Sequence, residues 1–281
     1  MIHHYDFDLF VIGGGSGGVR AARMAGQRGA RVALAECAER GGTCVNVGCV
    51  PKKLYSYAAG YAAAFEEAPG YGWTLPEAPR FDWATLKRQR AQEITRLNGV
   101  YQKLLDGAGV KTLTGWAQLV DGHTVSVSDT RYTARHILVA TGGMPAAPDM
   151  PGRELAVVSD AMFDLPDFPK RLLVMGGGYI GCEFASLFRG LGAHVTLVNR
   201  GAHILNGFDD DVREALAREM GRQGIDLRMT AQVETLRREG DGLVAMLSRG
   251  QQIEADTVLL ATGRKPNTAG MGLDAAGVKL D

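Results

Sequence analysis

A glycine-rich pattern that occurs twice is the feature that most constrains how this chain can fold. Gly13, Gly15 and Gly18 lie between an apolar run, Leu9–Ile12, and an alanine-rich stretch that is typical of a helix. In this G-x-G-x-x-G spacing the first glycine permits a tight turn and the second lets the backbone approach a pyrophosphate. The third allows the helix to pack closely on the strand. The helix N-terminus then offers free N–H groups to phosphates.

The second copy of the pattern consists of Gly176, Gly178 and Gly181, which again follow a short apolar run. Each copy continues into a second strand, several short strands and a last buried strand. That last strand ends in Ala-Thr-Gly, at residues 140–142 and 261–263. The order of these signals predicts an α/β fold made of two tandem three-layer dinucleotide-binding domains of the Rossmann-like type.

The residues at the end of the second strand differ between the two copies. Glu36 stands where an acid would accept hydrogen bonds from a ribose. In the second copy this position is Asn199, and Arg200 follows it. Loss of the acid removes repulsion of a 2′-phosphate and the arginine supplies a counter-charge, so the second copy favours NADPH over NADH.

Composition excludes several classes of protein. The 281 residues suffice for two domains, and a hydrophobic content of 46% supports packed cores. Lys plus Arg (31) balances Asp plus Glu (31), so no bulk charge favours nucleic acid or an anionic membrane. No apolar run is long enough to span a bilayer, and the N-terminus does not resemble a secretory signal. We therefore expect a cytoplasmic protein.

Two of the four cysteines, Cys44 and Cys49, lie five positions apart close to the first glycine pattern. A zinc site would need a second ligand pair, and the histidines lack ligand spacing, so no metal site is predicted. Gly48 would let the loop bend, and a helix that begins at Cys49 would stabilise its thiolate. These features suit a pair that cycles between dithiol and disulfide, with an inert buried pair as the alternative. Cys37 and Cys182 are predicted to be unreactive.

Residues 41–53, GGTCVNVGCVPKK, resemble the redox signature of the pyridine nucleotide–disulfide oxidoreductases, and the resemblance extends over residues 5–270. In that family the first module binds FAD and the second binds NAD(P)H. The resemblance implies that Cys49 faces the flavin and that Cys44 attacks the substrate disulfide. It places Lys52 near the flavin, paired with Glu183, with Lys53 as the less favoured candidate. It makes Tyr179 the residue that gates access of the nicotinamide.

The resemblance also implies a set of cofactor contacts. These cofactor-binding residues are Gly13, Gly15, Ser16, Gly18, Glu36, Thr43, Thr141, Gly142, Gly176, Gly178, Gly181, Arg200 and Gly263. Two departures from the family pattern weaken a strict preference for NADPH. Asn206 stands where an arginine is expected, and Gly181 stands where alanine is common.

The sequence Val-Pro-Lys-Lys after Cys49 resembles the branches that act on glutathione, trypanothione or thioredoxin. The dihydrolipoamide and mercuric branches carry Pro-Ser-Lys instead. Ser16, Arg23 and Tyr101 match substrate contacts of the glutathione branch. An arginine suits a carboxylate and disfavours a cationic substrate such as trypanothione. The alternative for Arg23 and Tyr101 is a solvated helix face. The expected activity is therefore NADPH-dependent, FAD-containing reduction of glutathione disulfide.

Domain boundaries follow from the same resemblance. Residues 1–150 are expected to bind FAD, residues 151–270 to bind NAD(P)H, and residues 271–281 to begin a central region. Family members continue into a dimer-interface domain that supplies a general acid/base histidine, so the chain is expected to be truncated and the full-length family to be homodimeric. Two alternatives remain: another flavin disulfide reductase, or a non-catalytic flavin- and nucleotide-binding fragment.

Overall fold

The chain forms two compact units that are not continuous in sequence. The computed structural model describes residues 4–280. The first unit contains the chain up to Val50, Ala91–Met144 and the chain from Pro266 onwards. The second contains Pro51–Arg90 and Pro145–Lys265. Each unit holds one of the glycine patterns, and the predicted α/β fold with two dinucleotide-binding modules is confirmed. The division of the chain by bound cofactor stays a prediction.

Six strands make up the sheet of the first unit. They are β1 (Phe7–Ile12), β2 (Val32–Glu36), β3 (Lys111–Thr114), β4 (Ala117–Leu119), β5 (Thr124–Val127) and β6 (Thr130–Val139). Their order is β3-β2-β1-β6-β5-β4. The pairs β3–β2, β2–β1 and β1–β6 are parallel, and Leu9 of β1 lies opposite Val32 and His136. The first half of β6 pairs antiparallel with β5, which pairs with β4.

Strand β1 is apolar on both faces because both faces are covered. Val11 packs with Leu34 and Ala22 on the helix side of the sheet. Phe10 packs on the opposite side, in a cluster that includes the meander β4–β6. Met271, from the last part of the chain, is buried in this second cluster. Alternate side chains of a strand point to opposite faces, so a continuous apolar run is what a covered parallel strand requires.

Helices connect these strands and carry the chain between the units. The first four are α1 (Ser16–Gly26), α2 (Gly42–Val47), α3 (Cys49–Glu67) and α4 (Trp83–Asp106). Helices α3 and α4 each contain a unit boundary. Helix α3 begins at Cys49, as the sequence predicted. The sequence did not predict α2, where a loop was expected, because six residues between glycines carry no periodic signal.

The second unit repeats the plan of the first. A short strand at the unit boundary, β7 (Gly143–Pro145), precedes β8 (Val157–Val158), β9 (Arg171–Met175), β10 (His194–Asn199), β11 (Asp226–Met229), β12 (Val233–Glu239), β13 (Gly242–Leu247), β14 (Gln252–Ala255), β15 (Thr257–Leu260) and β16 (Arg264–Pro266). Strands β11-β10-β9-β15-β8 form a parallel sheet. Strands β12-β13-β14 form an antiparallel meander on one face.

Two helices lie wholly in the second unit, α5 (Tyr179–Gly190) and α6 (Asp210–Arg222), and short 3-10 turns occur at Arg153–Leu155 and Ser159–Phe163. A third 3-10 turn, Ala68–Tyr71, follows α3. Among residues 4–280, no helix is both long enough and apolar enough to cross a bilayer.

An aromatic cluster holds α3 and α4 to α5 within the second unit. The Tyr55 hydroxyl donates to the Phe163 carbonyl at 2.9 Å, and the Trp83 indole N–H donates to the Leu165 carbonyl at 2.9 Å. The Phe168 and Phe188 rings stack with centroids 5.6 Å apart. Buried aromatic rings whose polar atoms find partners make a stiff core. This cluster fixes the first turns of α3 against α5, which carries Glu183.

Candidate functional site

The first glycine turn needs glycine for steric reasons. Gly13 has φ +109°, and a Cβ atom there would overlap the Ala140 carbonyl. A Cβ atom on Gly18 would overlap the Gly13 carbonyl oxygen. On the outer side the space is open, because a Cβ atom on Gly17 would meet nothing within 4 Å. The turn therefore presents bare backbone on one side, as a pyrophosphate site requires.

The N-terminus of α1 is free of competing groups. Gly15 precedes the helix and offers no side-chain cap, and the first turn carries no acidic residue. The N–H groups of the first turn and the positive end of the helix dipole are therefore available to an anion. Ser16, an exposed residue, opens the helix and adds a hydroxyl.

Glu36 is held in place by backbone donors of its own unit. Its Oε2 accepts from the Gly14 N–H at 2.6 Å and its Oε1 accepts from the Ala38 N–H at 2.9 Å. A carboxylate has lone pairs for about four hydrogen bonds, so both oxygens can still accept from a ribose hydroxyl. The residues of the first turn thus fit a dinucleotide.

Cys44 and Cys49 form a disulfide, with their Cα atoms 4.6 Å apart. Cys44 lies in α2 and is half-buried, whereas Cys49 is exposed and begins α3. Gly48 lies between them, and a Cβ atom there would meet the Thr43 carbonyl oxygen at 2.6 Å. The first turn of α3 has no acidic residue, so the helix dipole would stabilise a thiolate at Cys49.

The redox segment, residues 41–49, packs directly on the first glycine turn. The Gly41 N–H donates to the Gly14 carbonyl at 2.8 Å. A Cβ atom on Gly42 would meet the Gly15 Cα at 2.6 Å, so the two backbones touch here. Both residues have positive φ, +106° and +59°. The disulfide and the predicted dinucleotide site therefore belong to one arrangement within the first unit.

Two asparagines that the sequence did not single out fix this segment. The Asn98 side-chain amide, on α4, donates to the Arg40 carbonyl at 2.7 Å and to Asn46 Oδ1 at 2.8 Å. Asn46 in turn donates to the Gly42 carbonyl at 3.0 Å. No sequence pattern marks such a contact, because residues 46 and 98 are distant in the chain.

Lys52 and Glu183 form an ion pair in the second unit, as the sequence predicted for these two residues. The Lys52 side chain is only 14% exposed, and its Nζ lies 5.6 Å from the centre of the Tyr179 ring. Tyr179 is 53% exposed. Lys53 instead lies over Tyr57 on an exposed surface. The structure therefore brings Lys52, Glu183 and Tyr179 together and leaves Lys53 outside the group.

The second glycine turn repeats the geometry of the first. Gly176 has φ +112°, and Cβ atoms on Gly176 and Gly181 would overlap backbone oxygens. A Cβ atom on Gly178 would meet nothing within 4 Å. Asn199 Oδ1 accepts from the Gly177 N–H at 3.1 Å, as Glu36 does from Gly14. Asn199 therefore keeps the structural role of the acid without its charge.

The loop after β10 carries the predicted specificity residue. Arg200 is exposed. Asn199 Nδ2 donates to the carbonyls of Gly201, at 3.2 Å, and His203, at 2.8 Å, which fixes the course of the loop. A cavity of about 220 Å³ lies nearby, and its wall includes His203, Arg213, Arg218 and Glu214. Arg213 is paired with Asp210 and Arg218 with Glu214, so Arg200 is the residue whose charge would suit a phosphate.

The residues at the end of the last strand have the same arrangement in both modules. The Ala140 N–H donates to the Ile12 carbonyl, and the Ala261 N–H donates to the Met175 carbonyl, both at 2.8 Å. Gly142 and Gly263 have φ of +67° and +139°. Thr141 stands before Gly142, and Thr43 is exposed in the redox segment. These positions lie beside the respective glycine turns.

The predicted substrate residues lie in the first unit. Tyr101 is half-buried and packs on the cluster formed with α1, the helix that carries Ser16 and Arg23. Arg23 is half-buried, and its Nε is buried without a hydrogen-bond partner among the described residues. These contacts argue against a simple solvated face for either residue. The positive charge of the Arg23 guanidinium suits an anionic ligand.

The two remaining cysteines are poor nucleophiles. Burial, assisted by the charge of Glu183, raises the pKa of the Cys182 thiol to about 11. Partial burial and the neighbouring Glu36 carboxylate raise the pKa of Cys37. A raised pKa leaves little thiolate at neutral pH. Residues 4–280 also contain no group of three or more His, Cys, Asp or Glu side chains that could hold a metal ion.

Comparison with known proteins agrees with this geometry. The family model described as "Pyridine nucleotide-disulphide oxidoreductase" matches residues 7–281. Glutathione reductase from Burkholderia cepacia is 49% identical over 277 residues. Glutathione reductase from Nostoc sp. is 45% identical, and the chloroplastic/mitochondrial glutathione reductase from Pisum sativum is 42% identical. These alignments cover 99%, 98% and 98% of this chain but 62%, 60% and 52% of the relatives.

Solved structures give the same picture. A HOCl-induced flavoprotein disulfide reductase from Escherichia coli superposes with a TM-score of 0.86 at 27% identity, over 98% of this chain and 60% of that one. A copper(II) complex of a variant of the same protein superposes with a TM-score of 0.86 at 25% identity, over 99% of this chain and 61% of that one. The chain thus spans about half to three fifths of the length of these proteins.

Proposed function

Because the chain belongs to the pyridine nucleotide-disulphide oxidoreductase family, we propose that it uses FAD and NADPH to reduce glutathione disulfide through Cys44 and Cys49. The observation that carries this proposal is the disulfide itself, packed against a glycine turn that fits a dinucleotide. The glutathione reductase relatives support the choice of substrate.

The two glycine turns divide the cofactors between the units. The first turn, with Glu36, Ser16 and the N-terminus of α1, would hold FAD. The second turn, with Arg200 at its rim, would hold NADPH. The bound nucleotides supply a two-electron reductant, which converts the disulfide into two thiols with uptake of two protons. Tyr179 is proposed to control access to the nicotinamide. The Lys52–Glu183 pair is proposed to hold the positive charge of Lys52 beside Tyr179.

The reduced cysteines then have different tasks. The Cys44 thiolate attacks one sulfur of the substrate disulfide, forms a mixed disulfide and releases one glutathione thiolate, which takes up a proton. The Cys49 thiolate attacks Cys44 Sγ, releases the second glutathione and restores the internal disulfide. Cys49 suits the second task because its position at the start of α3 stabilises a thiolate.

Charge complementarity supports glutathione disulfide as the substrate. This tripeptide disulfide carries free carboxylates, and Arg23, half-buried on α1, supplies a guanidinium charge that would pair with one of them. Ser16 begins α1, and Tyr101 packs on the cluster that contains residues of α1. Both would add hydroxyl groups.

A trapping experiment tests the substrate without depending on turnover. In Cys49→Ser, the reduced Cys44 should form a stable mixed disulfide with glutathione, visible in the intact mass. The reaction with anionic glutathione disulfide should be faster than that with cationic cystamine, and Arg23→Glu should reverse this preference. Equal rates with both disulfides in both variants would contradict the substrate assignment. An absence of any adduct on Cys44 would contradict its role.

We further propose a homodimer for the full-length protein, which would include the interface domain of the family, and a cytoplasmic location. Both are expectations taken from the family resemblance and the sequence. Sedimentation of the purified protein and cell fractionation test them directly.

A further inference from the structure

The loop after β10 contains a chemical feature that the redox site does not use. Asn206 and Gly207 form one of the two Asn-Gly pairs in the sequence. Asn206 and Gly207 are both exposed. In an Asn-Gly pair the glycine nitrogen can attack the asparagine side chain, because glycine has no Cβ to hinder the approach. The rate depends on how far the local structure leaves both groups free to meet.

The structure leaves Asn206 and Gly207 free. The turn that holds them is closed by a bond from the Phe208 N–H to the Leu205 carbonyl at 3.0 Å, so the pair occupies its two central positions. Among the described residues, no hydrogen bond involves the Asn206 side chain or the Gly207 N–H. Gly207 has φ +86°.

The other Asn-Gly pair, Asn98-Gly99, is protected. It lies inside helix α4, and the Asn98 amide nitrogen is bound to the Arg40 carbonyl and to Asn46. The helical backbone keeps the Gly99 nitrogen away from the side chain, since helix geometry turns each N–H towards a carbonyl four residues earlier. Asn98-Gly99 is therefore a matched comparison for Asn206-Gly207 within the same chain.

Asn206 also lies next to the proposed nucleotide site. Leu205, the preceding residue, is buried with φ +51°, a conformation that leucine rarely adopts. Its N–H donates to the carbonyl of Gly177, in the second glycine turn, at 2.7 Å. The loop is thus pinned to the glycine turn one residue before Asn206, and Arg200 lies at the start of the same loop.

We propose that Asn206 is a site of spontaneous deamidation and that the resulting carboxylate weakens binding of the 2′-phosphate of NADPH. The Gly207 nitrogen forms a bond to Asn206 Cγ, and the Cγ–Nδ2 bond breaks, with release of ammonia. Water then opens the cyclic imide at either carbonyl and leaves aspartate or isoaspartate. The modification replaces a neutral amide by a negative charge beside a site for an anion. The effect on NADPH binding rests on the proposed function.

The first test is independent of the nucleotide. The purified chain is kept in mildly alkaline buffer at physiological temperature, and its peptides are mapped by mass over several weeks. Aspartate and isoaspartate should accumulate at position 206 and not at position 98, and Asn206→Gln should abolish the signal. Equal modification at both positions, or none at position 206, would overturn the proposal.

The second test concerns the consequence. NADPH and NADH binding are measured by calorimetry for Asn206→Asp, with Asn206→Gln as the neutral control and Arg200→Glu as a reference. Asn206→Asp should weaken NADPH binding roughly threefold to tenfold, the range for one like charge at an exposed site, and leave NADH binding nearly unchanged. If Arg200→Glu weakens NADPH binding and Asn206→Asp does not, the proposed consequence is wrong. If neither does, the nucleotide assignment itself fails.

Discussion

At the scale of single residues, side-chain amides determine the shape of the redox segment. Asn98 reaches from α4 to the Arg40 carbonyl and to Asn46, which then binds the Gly42 carbonyl. The cysteines themselves contribute only the covalent link between α2 and α3. When that link is reduced, the asparagines and the backbone contacts of Gly41 and Gly42 with the first glycine turn still hold the segment in place.

We therefore expect Asn98→Ala to destabilise the first unit by about 1–3 kcal/mol, because two hydrogen bonds at a half-buried site are lost. Denaturant unfolding measures this change. The control is Gln102→Ala on the same helix, whose amide donates to the exposed Asp106 and makes a longer bond of 3.3 Å to Thr112, and which should therefore matter less than Asn98→Ala. Similar small effects for both variants would show that Asn98 does not hold the redox segment.

The reactivity of Cys182 gives a prediction about pH. Burial raises the pKa of this thiol to about 11, and the Glu183 charge adds to the effect. Because only the thiolate reacts, alkylation of a variant that keeps Cys182 alone should be slow at neutral pH and accelerate as the pH approaches that value. Glu183→Gln should move the onset to lower pH by a small amount, since burial is the larger cause. Rapid alkylation of the folded chain at neutral pH would contradict the buried position.

At the scale of elements, the turn between β1 and α1 works because backbone atoms touch where a side chain would be. A Cβ atom on Gly18 would overlap the Gly13 carbonyl, whereas one on Gly17 meets nothing within 4 Å. Gly18→Ala should cost about 1–3 kcal/mol of stability through overpacking. Gly17→Ala should stabilise α1 by about 0.5–1 kcal/mol, since alanine favours a helix. Thermal unfolding of the two variants decides this, and equal effects would refute the packing argument.

The loop after β10 is proposed to set the preference between NADPH and NADH. Asn199 takes the place of the ribose-binding acid without its charge, and Arg200 follows it. Loss of a charged hydrogen bond costs roughly 1.5–3 kcal/mol. Arg200→Glu should therefore weaken NADPH binding by about tenfold or more and NADH binding far less. Calorimetry with both nucleotides checks this, and an equal loss for both would show that Arg200 does not read the 2′-phosphate.

At the scale of the whole molecule, local patterns were predictable and long-range ones were not. The glycine turns between β1 and α1 and between β9 and α5 follow from steric rules, and the structure has them where the sequence indicated. The return of the chain from Pro266 to the first unit was not predictable. It depends on contacts such as the Leu119 N–H with the Met271 carbonyl at 2.8 Å, which join residues far apart in the chain.

In the candidate site, too, contacts within known motifs were predictable and other long-range contacts were not. The pairs Cys44–Cys49 and Lys52–Glu183 were named from motifs, and both are in contact. The Asn98–Asn46 contact was missed because asparagine on a helix surface carries no signal of its partner. The half-buried position of Arg23 also depends on packing that no periodicity reveals.

Differential alkylation shows whether NADPH, acting through FAD, reduces the Cys44–Cys49 disulfide. The chain is loaded with FAD, its free thiols are blocked, and NADPH is added without oxygen before a second, mass-labelled alkylating agent. The second label should appear on Cys44 and Cys49 alone, with one NADPH consumed for each disulfide. Failure to retain FAD, consumption of NADPH with the disulfide intact, or labelling confined to Cys37 or Cys182 would contradict the proposed reduction.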